Sequence, residues 1–345
     1  MVYYAGIDLG KRQSQVRIIG ADRKVVEDLR VDNDPKEFVR IFRKYKGDVL
    51  VACEACSNAF WVADTLEPLV RKVHVGDTKK IRWIAEARIK TDKIDAGILA
   101  ELLRADLFPT IAIPPRRIRD LRELVRGIVR LRRQTVRYRN QVHGLLGRHG
   151  VAYKRSAVAG PKLSELVKES ELPAPAKIAA ESVLRLIDHT AAEERRLDKA
   201  IRLELQDEPE LRRTVDLVET VPGVGYFSAL LLVVELWDVG RFADAGRLAS
   251  YIGFVPSTHQ TGETLRNGRM TKQGNVLARW ILVQDAWSAS RTHLFFGRLY
   301  ERHRKRLGKG RAIVPVARTL LSTIFRVWSE GKTYEELFGE KALVG

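Results

Sequence analysis

Val2-Tyr3-Tyr4-Ala5-Gly6-Ile7-Asp8-Leu9 (VYYAGIDL) opens the chain and reads as a β-strand that ends in an acid. Two further extended stretches follow, Val16 to Ile19 and Lys24 to Leu29, separated by Gly20-Ala21-Asp22, which makes a three-strand meander. Pro35 to Tyr45 then carries apolar residues at helical spacing (Phe38, Ile41, Phe42, Tyr45), and Lys46-Gly47-Asp48 stops it. Val49 to Glu54 is the next strand. A helix from Ala59 to Val70, a short strand from Lys72 to Val75 and a helix marked by Ile94, Ile98, Leu99, Leu102 and Leu103 complete the pattern. Strand alternating with helix predicts an α/β layer around a mixed sheet.

The acids in this pattern fall in a particular order. Asp8 closes the first strand, Glu54 closes the fourth, and Asp92 and Asp95 in Thr91-Asp92-Lys93-Ile94-Asp95 open a later helix, i and i+3 on one face. Each has a plain explanation: Asp8 precedes a Gly10-Lys11 turn, Glu54 caps the helix after it, and the two aspartates suit a first helical turn behind Thr91. Together they are four carboxylates from three elements, in the chain order of the ribonuclease H fold. Oxygen-only ligands select hard cations, Mg²⁺ or Mn²⁺, which in two-metal sites stabilise an in-line displacement at phosphorus.

Composition points to the same class of partner. Lys and Arg number 61 against 43 Asp and Glu, a net charge of +18, and the pI is near 10.0, a balance that favours a polyanion such as nucleic acid. The longest apolar run, inside Phe227 to Trp237, is too short to cross a bilayer, and the N-terminus lacks a signal-peptide layout, so a soluble, cytoplasmic protein without membrane partners is expected. Cys53 and Cys56 form a lone C-x-x-C with no second pair for zinc, and Cys53 reads as a strand residue rather than half of a redox pair.

Pro109 to Pro115 is a linker, after which the pattern changes. Leu121, Leu124, Ile128, Leu131, Thr135, Tyr138, Val142 and Leu145 recur at alternating steps of three and four, a heptad seam that predicts a long coiled-coil helix. Its outer positions are mostly arginine, Arg126 and Arg133 among them, which suits a phosphate track. Gly147 to Pro175 is a loop with one short helix near Lys162 to Lys168. Helix resumes from Ala176 to about Leu205, with acids (Glu193, Glu194, Asp198, Glu204) placed to answer the arginines of the first helix. The predicted division is 1–110, an arm over 116–206, and a mainly helical region over 211–335.

In the third region, Val221-Pro222-Gly223-Val224-Gly225 before an apolar helix resembles the hairpin of a helix-hairpin-helix element, where Gly223 and Gly225 let backbone N–H groups approach a phosphate. Ala243 to Tyr251 is a second helix. A long polar loop from Gly253 to Gly274 then gathers Ser257, Thr258, Thr261, Thr264 and Thr271 with Arg266, Arg269 and Lys272, a mix of hydroxyls and cations suited to function. Helices from Val276 to Trp287 and from Ile313 to Trp328 are core.

These stretches carry a resemblance. Y-A-G-I-D-L-G-K at Asp8, A-C-E-A at Glu54, K-T-D-K-I-D-A at Asp92 and Asp95, P-G-V-G at Pro222, and Y-I-G-F-V-P-S-T-H-Q-T-G-E with G-R-M-T-K-Q-G-N together resemble insertion-sequence transposases of the group numbered one-ten and its eleven-eleven subgroup. The related Piv and MooV invertases share the pattern, and the likeness runs over nearly the whole chain. It implies a ribonuclease H-like (RuvC-like) N-terminal domain whose four acids bind Mg²⁺ (or Mn²⁺) for DNA cleavage, a helical arm, and a C-terminal transposase domain. It also implies a serine that becomes covalently linked to DNA, guidance by a structured RNA from the same element, and dimers and tetramers with composite active sites.

The sequence departs from that pattern at one point. The position of the family's serine is Thr261, in Gln260-Thr261-Gly262. Threonine keeps the hydroxyl but adds a methyl that restricts χ1 beside the attacking oxygen. Three readings follow: Thr261 is the nucleophile, Ser257 replaces it, or strand exchange is impaired. For the whole protein, the alternatives to an RNA-guided recombinase are a metal-dependent junction-resolving nuclease and a catalytically impaired nucleic-acid-binding relative.

Overall fold

The computed structural model describes residues 2–86, 96–154, 160–261, 264–271 and 273–339, with backbone alone for 85–86, 256–261 and 264–269. The chain divides into two compact units, residues 1–114 and 115–345.

The first unit is mixed α/β. Its strands β1 (Tyr3–Leu9), β2 (Gln13–Ile19), β3 (Val25–Asp32), β4 (Val49–Glu54) and β5 (Lys72–Gly76) form one sheet in the order β3-β2-β1-β4-β5. The meander is antiparallel, whereas β4 runs parallel to both β1 and β5. β2 and β3 are longer than their apolar residues suggest. The added length, residues 13–15 and 30–32, is held at its end by a polar cross-strand pair, Gln13 Nε2 to Asp32 Oδ1 at 2.9 Å, which carries no hydrophobic signal.

Period-two alternation splits the strands between two layers. Ala5 and Ile7 of β1 and Val51 and Cys53 of β4 point into one core with Phe38 and Phe42 of α1 (Pro35–Phe42) and Val62 and Leu66 of α2 (Ala59–Leu66). Asp34 caps α1, its Oδ1 accepting from the Lys36 N–H at 2.8 Å. α2 stops at Leu66 rather than Val70 because Pro68, with no N–H, cannot make the next helical hydrogen bond. Burial pushes the Cys53 thiol up to about 12, and Cys56 is exposed, so the C-x-x-C residues occupy unlike settings.

The opposite face of the sheet is covered by α3 (Thr78–Glu86) and α4 (Ala96–Arg104), where Ala52, Ile81, Leu99, Leu102 and Leu103 are buried together. At Gly6, α4 lies against β1 with no side chain between them. A Cβ on Gly6 would sit 1.8 Å from the Ala96 carbonyl oxygen and 2.6 Å from the Ala100 nitrogen, so this strand position accepts only glycine.

The second unit is mostly helical. α5 (Arg116–Arg148) and α7 (Ala174–Glu204) pack as an antiparallel pair, joined by Arg132–Glu194 at 2.7 Å and a Thr135–Thr190 hydroxyl contact at 2.9 Å. Of the expected acids, Glu194 and Glu204 meet arginines of α5, while Glu193 and Asp198 pair within their own helix with Arg196 and Arg202. At the far end, α6 (Pro161–Glu169) closes a small core of Val142, Leu146, Leu163, Val167 and Ala180. At the near end, Val125 and Val129 are buried beside Leu121 and Ile128, a stripe broader than a heptad seam, because α5 here joins the main core.

That core surrounds α9 (Tyr226–Leu236), in which every residue from Ala229 to Leu236 is buried. Around it stand α8 (Pro209–Glu219), α10 (Ala245–Ile252), α11 (Val276–Thr292), α12 (Leu294–Leu307) and α13 (Ile313–Glu330), followed by α14 (Tyr334–Phe338). α8 and α12 add to the helices that the sequence predicts. The polar stretch expected as a loop holds a hairpin, β6 (Pro256–Thr261) paired with β7 (Thr264–Met270). Its strands lack apolar alternation, which is why periodicity passes over them.

Because Gly6 has no free volume beside it, Gly6→Val is expected to destabilise the first unit by about 3 kcal/mol. Thermal unfolding of the variant should show a lowered transition; an unchanged one would mean α4 does not depend on this contact.

Candidate active site

Asp8 and Glu54 are brought together by strand pairing alone. β1 and β4 are parallel neighbours with Ile7 opposite Cys53, so the next residue on each strand is the acid, and both acids leave the sheet at the same end. Asp8 is exposed and Glu54 is half-buried. Burial, and then the Asp8 charge beside it, push the Glu54 carboxyl above its ordinary range, against the pull of Arg82 and a Thr78 hydrogen bond. Two carboxylates crowded in this way call for a positive charge.

The loop behind Asp8 is fixed. Asn33 and Asn58 both donate to the Gly10 carbonyl, at 2.8 and 3.1 Å, tying the turn after β1 to the segments that precede α1 and α2. Among the described residues no three acids, histidines or cysteines form a metal-holding group. Asp92 and Asp95 lie outside the described residues, but Ala96, the residue after Asp95, has its carbonyl against Gly6, two positions before Asp8.

In the second unit, Thr261 is the last residue of β6, opposite Thr264 at the turn of the hairpin. Two glycines pin the hairpin's base to the helices. A Cβ on Gly253 (φ 85°) would lie 2.0 Å from the Gln273 oxygen, and one on Gly274 (φ 103°) 1.9 Å from the Tyr251 oxygen. Thr271 N–H donates to Val255 O at 3.0 Å, and Arg279 Nη1 to Ile252 O at 2.6 Å. Asn275 joins this base to the core: its Oδ1 caps α11 by accepting from the Leu277 and Ala278 N–H groups, both at 3.0 Å, and its Nδ2 donates to Glu235 Oε2 at 2.7 Å.

Comparison with known proteins matches both regions. Residues 5–150 match a transposase family model named for DEDD and IS110, and residues 215–301 match the Transposase IS116/IS110/IS902 family. A "Probable family 20 transposase" of Pseudomonas aeruginosa is 28% identical over 81% of this chain and 82% of its own length. The transposase for insertion sequence element IS1111A of Coxiella burnetii is 25% identical over 71% and 68%, and the IS110 43.6 kDa protein of Streptomyces coelicolor 24% over 96% and 95%. The chain belongs to the IS110 family of insertion-sequence transposases. Membership makes DNA its substrate.

Other residues singled out from this transposase's sequence have mixed settings. Gly223 (φ 84°) faces α11, where a Cβ would meet the Ala289 nitrogen at 2.5 Å, so packing accounts for it; Gly225 has open space around its Cα. The backbone of Arg266 and Arg269 runs in β7, and Lys272 lies outside the described residues. Arg126 is committed to the protein, its guanidinium gripping Glu235 in two bonds of 2.7 and 3.0 Å. Arg133 is exposed, 5.7 Å from the Trp280 ring centre, and with Arg126 and Arg130 it walls a cleft of about 540 Å³ bounded by Tyr251, Asn275 and Val276. The structure adds a basic surface that no motif marks: Arg302, Lys305, Arg306, Lys309 and Arg311 are all exposed at and beyond the end of α12.

Glu235 is 1% exposed and is the anchor of the hairpin's base. Burial pushes its carboxyl up, but the hydrogen bonds from Arg126 and Asn275 outweigh that and leave it below the ordinary range. A depressed carboxyl stabilises the fold above its unfolded value and loses that contribution as pH falls through the folded value. Arg126→Met, which strands a buried charge, is expected to cost about 3–5 kcal/mol near neutral pH. Adding Glu235→Gln to Arg126→Met should recover much of the loss and weaken the acid-side fall in stability, both readable by thermal unfolding across pH.

Proposed function

We propose that this IS110-family chain is an RNA-guided DNA transposase, with a ribonuclease H-like first unit that cuts DNA and a Thr261 hydroxyl that exchanges the strand through a covalent intermediate. The observation that carries the cutting half is the pairing of β1 with parallel β4, which sets Asp8 beside Glu54 at one end of the sheet. The strand order β3-β2-β1-β4-β5 and the helix start at Ala96 laid over Gly6 support it.

The acids suit a divalent metal. They are oxygen donors, and the raised Glu54 carboxyl reflects burial and a neighbouring negative charge, both of which a bound cation offsets. Asp8, Glu54, Asp92 and Asp95 would hold Mg²⁺ or Mn²⁺, which supplies Lewis-acid stabilisation of a phosphodiester under attack. The chain's own residues do the rest. Arg82 tempers the negative field at Glu54, and the two asparagines on Gly10 O hold the Asp8 turn in place. In the exchange step, Thr261 Oγ1 bonds to phosphorus as the bond to the leaving strand breaks, and its proton passes to solvent or a nearby base while the leaving oxygen is protonated. The base of the hairpin that carries Thr261 is pinned by Gly253, Gly274 and Asn275.

The net charge of +18 suits simultaneous contact with DNA and a structured guide RNA, and a homo-oligomer would supply the several active sites that exchange of two duplexes requires. A discrete RNA co-purifying with active protein is the expected result for guidance; active preparations free of RNA would remove that part.

Asp8→Asn and Glu54→Gln are each expected to lower metal-dependent DNA cleavage on the order of 100-fold or more while leaving DNA binding in place. Cleavage at wild-type rate by either variant would overturn the metal-site assignment. Thr261→Ala should abolish covalent protein–DNA adducts and Thr261→Ser should keep or raise them. Adducts in the alanine variant would exclude Thr261, and cleavage without any adduct would favour the acids-only nuclease.

A further inference from the structure

Trp83 is 70% exposed, the most exposed large apolar side chain among the described residues. Its helix, α3, is firmly seated. Ile81 is fully buried under the sheet, the Asp77 carboxylate accepts from the Lys79 and Lys80 N–H groups at 3.0 and 3.3 Å, and Thr78 Oγ1 donates to the carbonyl of Ala55 at 3.4 Å. Ala55 is the residue after Glu54, and Arg82 acts on the Glu54 carboxyl. The exposed face of α3 is therefore held beside the acid pair.

That face has a definite chemistry. Lys79 and Lys80 are exposed and lie four and three residues before Trp83, so they flank its ring on the same side of the helix. Residues 78 to 84 hold three cations and no acid. An indole left this bare forgoes burial that Trp ordinarily finds, and a cationic setting next to a nucleic-acid site suits an aromatic partner flanked by phosphates.

We propose that Trp83 is a stacking platform for an unpaired base of the DNA strand bound at Asp8 and Glu54, with Lys79 and Lys80 receiving the phosphates on either side of that base. The inference rests on the metal-site reading above and adds a requirement to it: the strand is unstacked where it is cut. A fully paired duplex offers no base face for this contact, so the platform selects locally opened DNA. Trp83 is a binding residue and takes no part in bond making.

The test uses the full chain without divalent metal, comparing oligothymidine with oligouridine and with a paired DNA duplex of equal length. Trp83→Ala is expected to weaken oligothymidine binding roughly 5- to 100-fold and to leave duplex binding within about twofold. Trp83→Phe should retain most of the affinity but lose part of the tryptophan quenching that oligothymidine produces. Lys79→Ala with Lys80→Ala should lower the slope of log affinity against log salt by about 1.4 on the single strand. Equal losses on both DNAs, no loss on either, or a loss confined to oligouridine would overturn the proposal, the last by assigning the platform to RNA. Asp8→Asn separates this outcome from the reading it rests on: wild-type cleavage by that variant sinks the metal site, whereas failure of Trp83→Ala with Asp8→Asn inactive sinks only the platform.

Discussion

The first unit depends on a backbone-to-backbone contact, α4 against β1 at Gly6. Without side-chain volume at that position the start of the helix lies directly over the strand, and the sheet's second face is covered close to its acidic end. The contact is made of a carbonyl, an amide and an α-carbon, so it cannot relax by a rotamer change.

A buried charge has the corresponding place in the second unit. Glu235 sits in the most apolar helix of the protein, and its two oxygens are shared between Arg126 of α5 and Asn275 at the start of α11. Arg122 extends the same junction by donating to the Val234 and Glu235 carbonyls at 2.9 and 2.8 Å. Such a cluster adds little net stability over an apolar one, yet it fixes three elements in one register, and the third follows directly on the hairpin whose first strand ends at Thr261. Asp285 shows the opposite case in the same core: one oxygen accepts from Ser228 at 2.6 Å, the other has no partner, and burial raises the carboxyl to about 7.

Pairing within the second unit divides the arginines of α5 by task. Arg117, Arg122, Arg126 and Arg132 are spent on Glu204, Glu208, Glu235, Glu194 and main-chain oxygens, so charge density along this helix overstates what remains for a polyanion. Arg116, Arg133, Arg137 and Arg148 of the same helix, and the cations at the end of α12, are among those left exposed. Net charge draws the protein to nucleic acid; local pairing decides which cations can reach a phosphate.

By itself the sequence determined the sheet's central strands, the long helices and the pairing of Asp8 with Glu54. Apolar runs such as Val49 to Cys53 mark strands buried on both faces, and strand order follows from short connections and right-handed crossovers. It did not reveal the β6–β7 hairpin, whose strands are polar on both sides, nor the ends of β2 and β3, where Gln13 pairs with Asp32. Tertiary structure alone decided that Gly6 and Gly223 are packing positions, that Arg126 serves Glu235, and that Trp83 is bare beside the acids. Periodicity records which face of an element is apolar; it cannot record which other element arrives there, and these residues take their roles from that arrival.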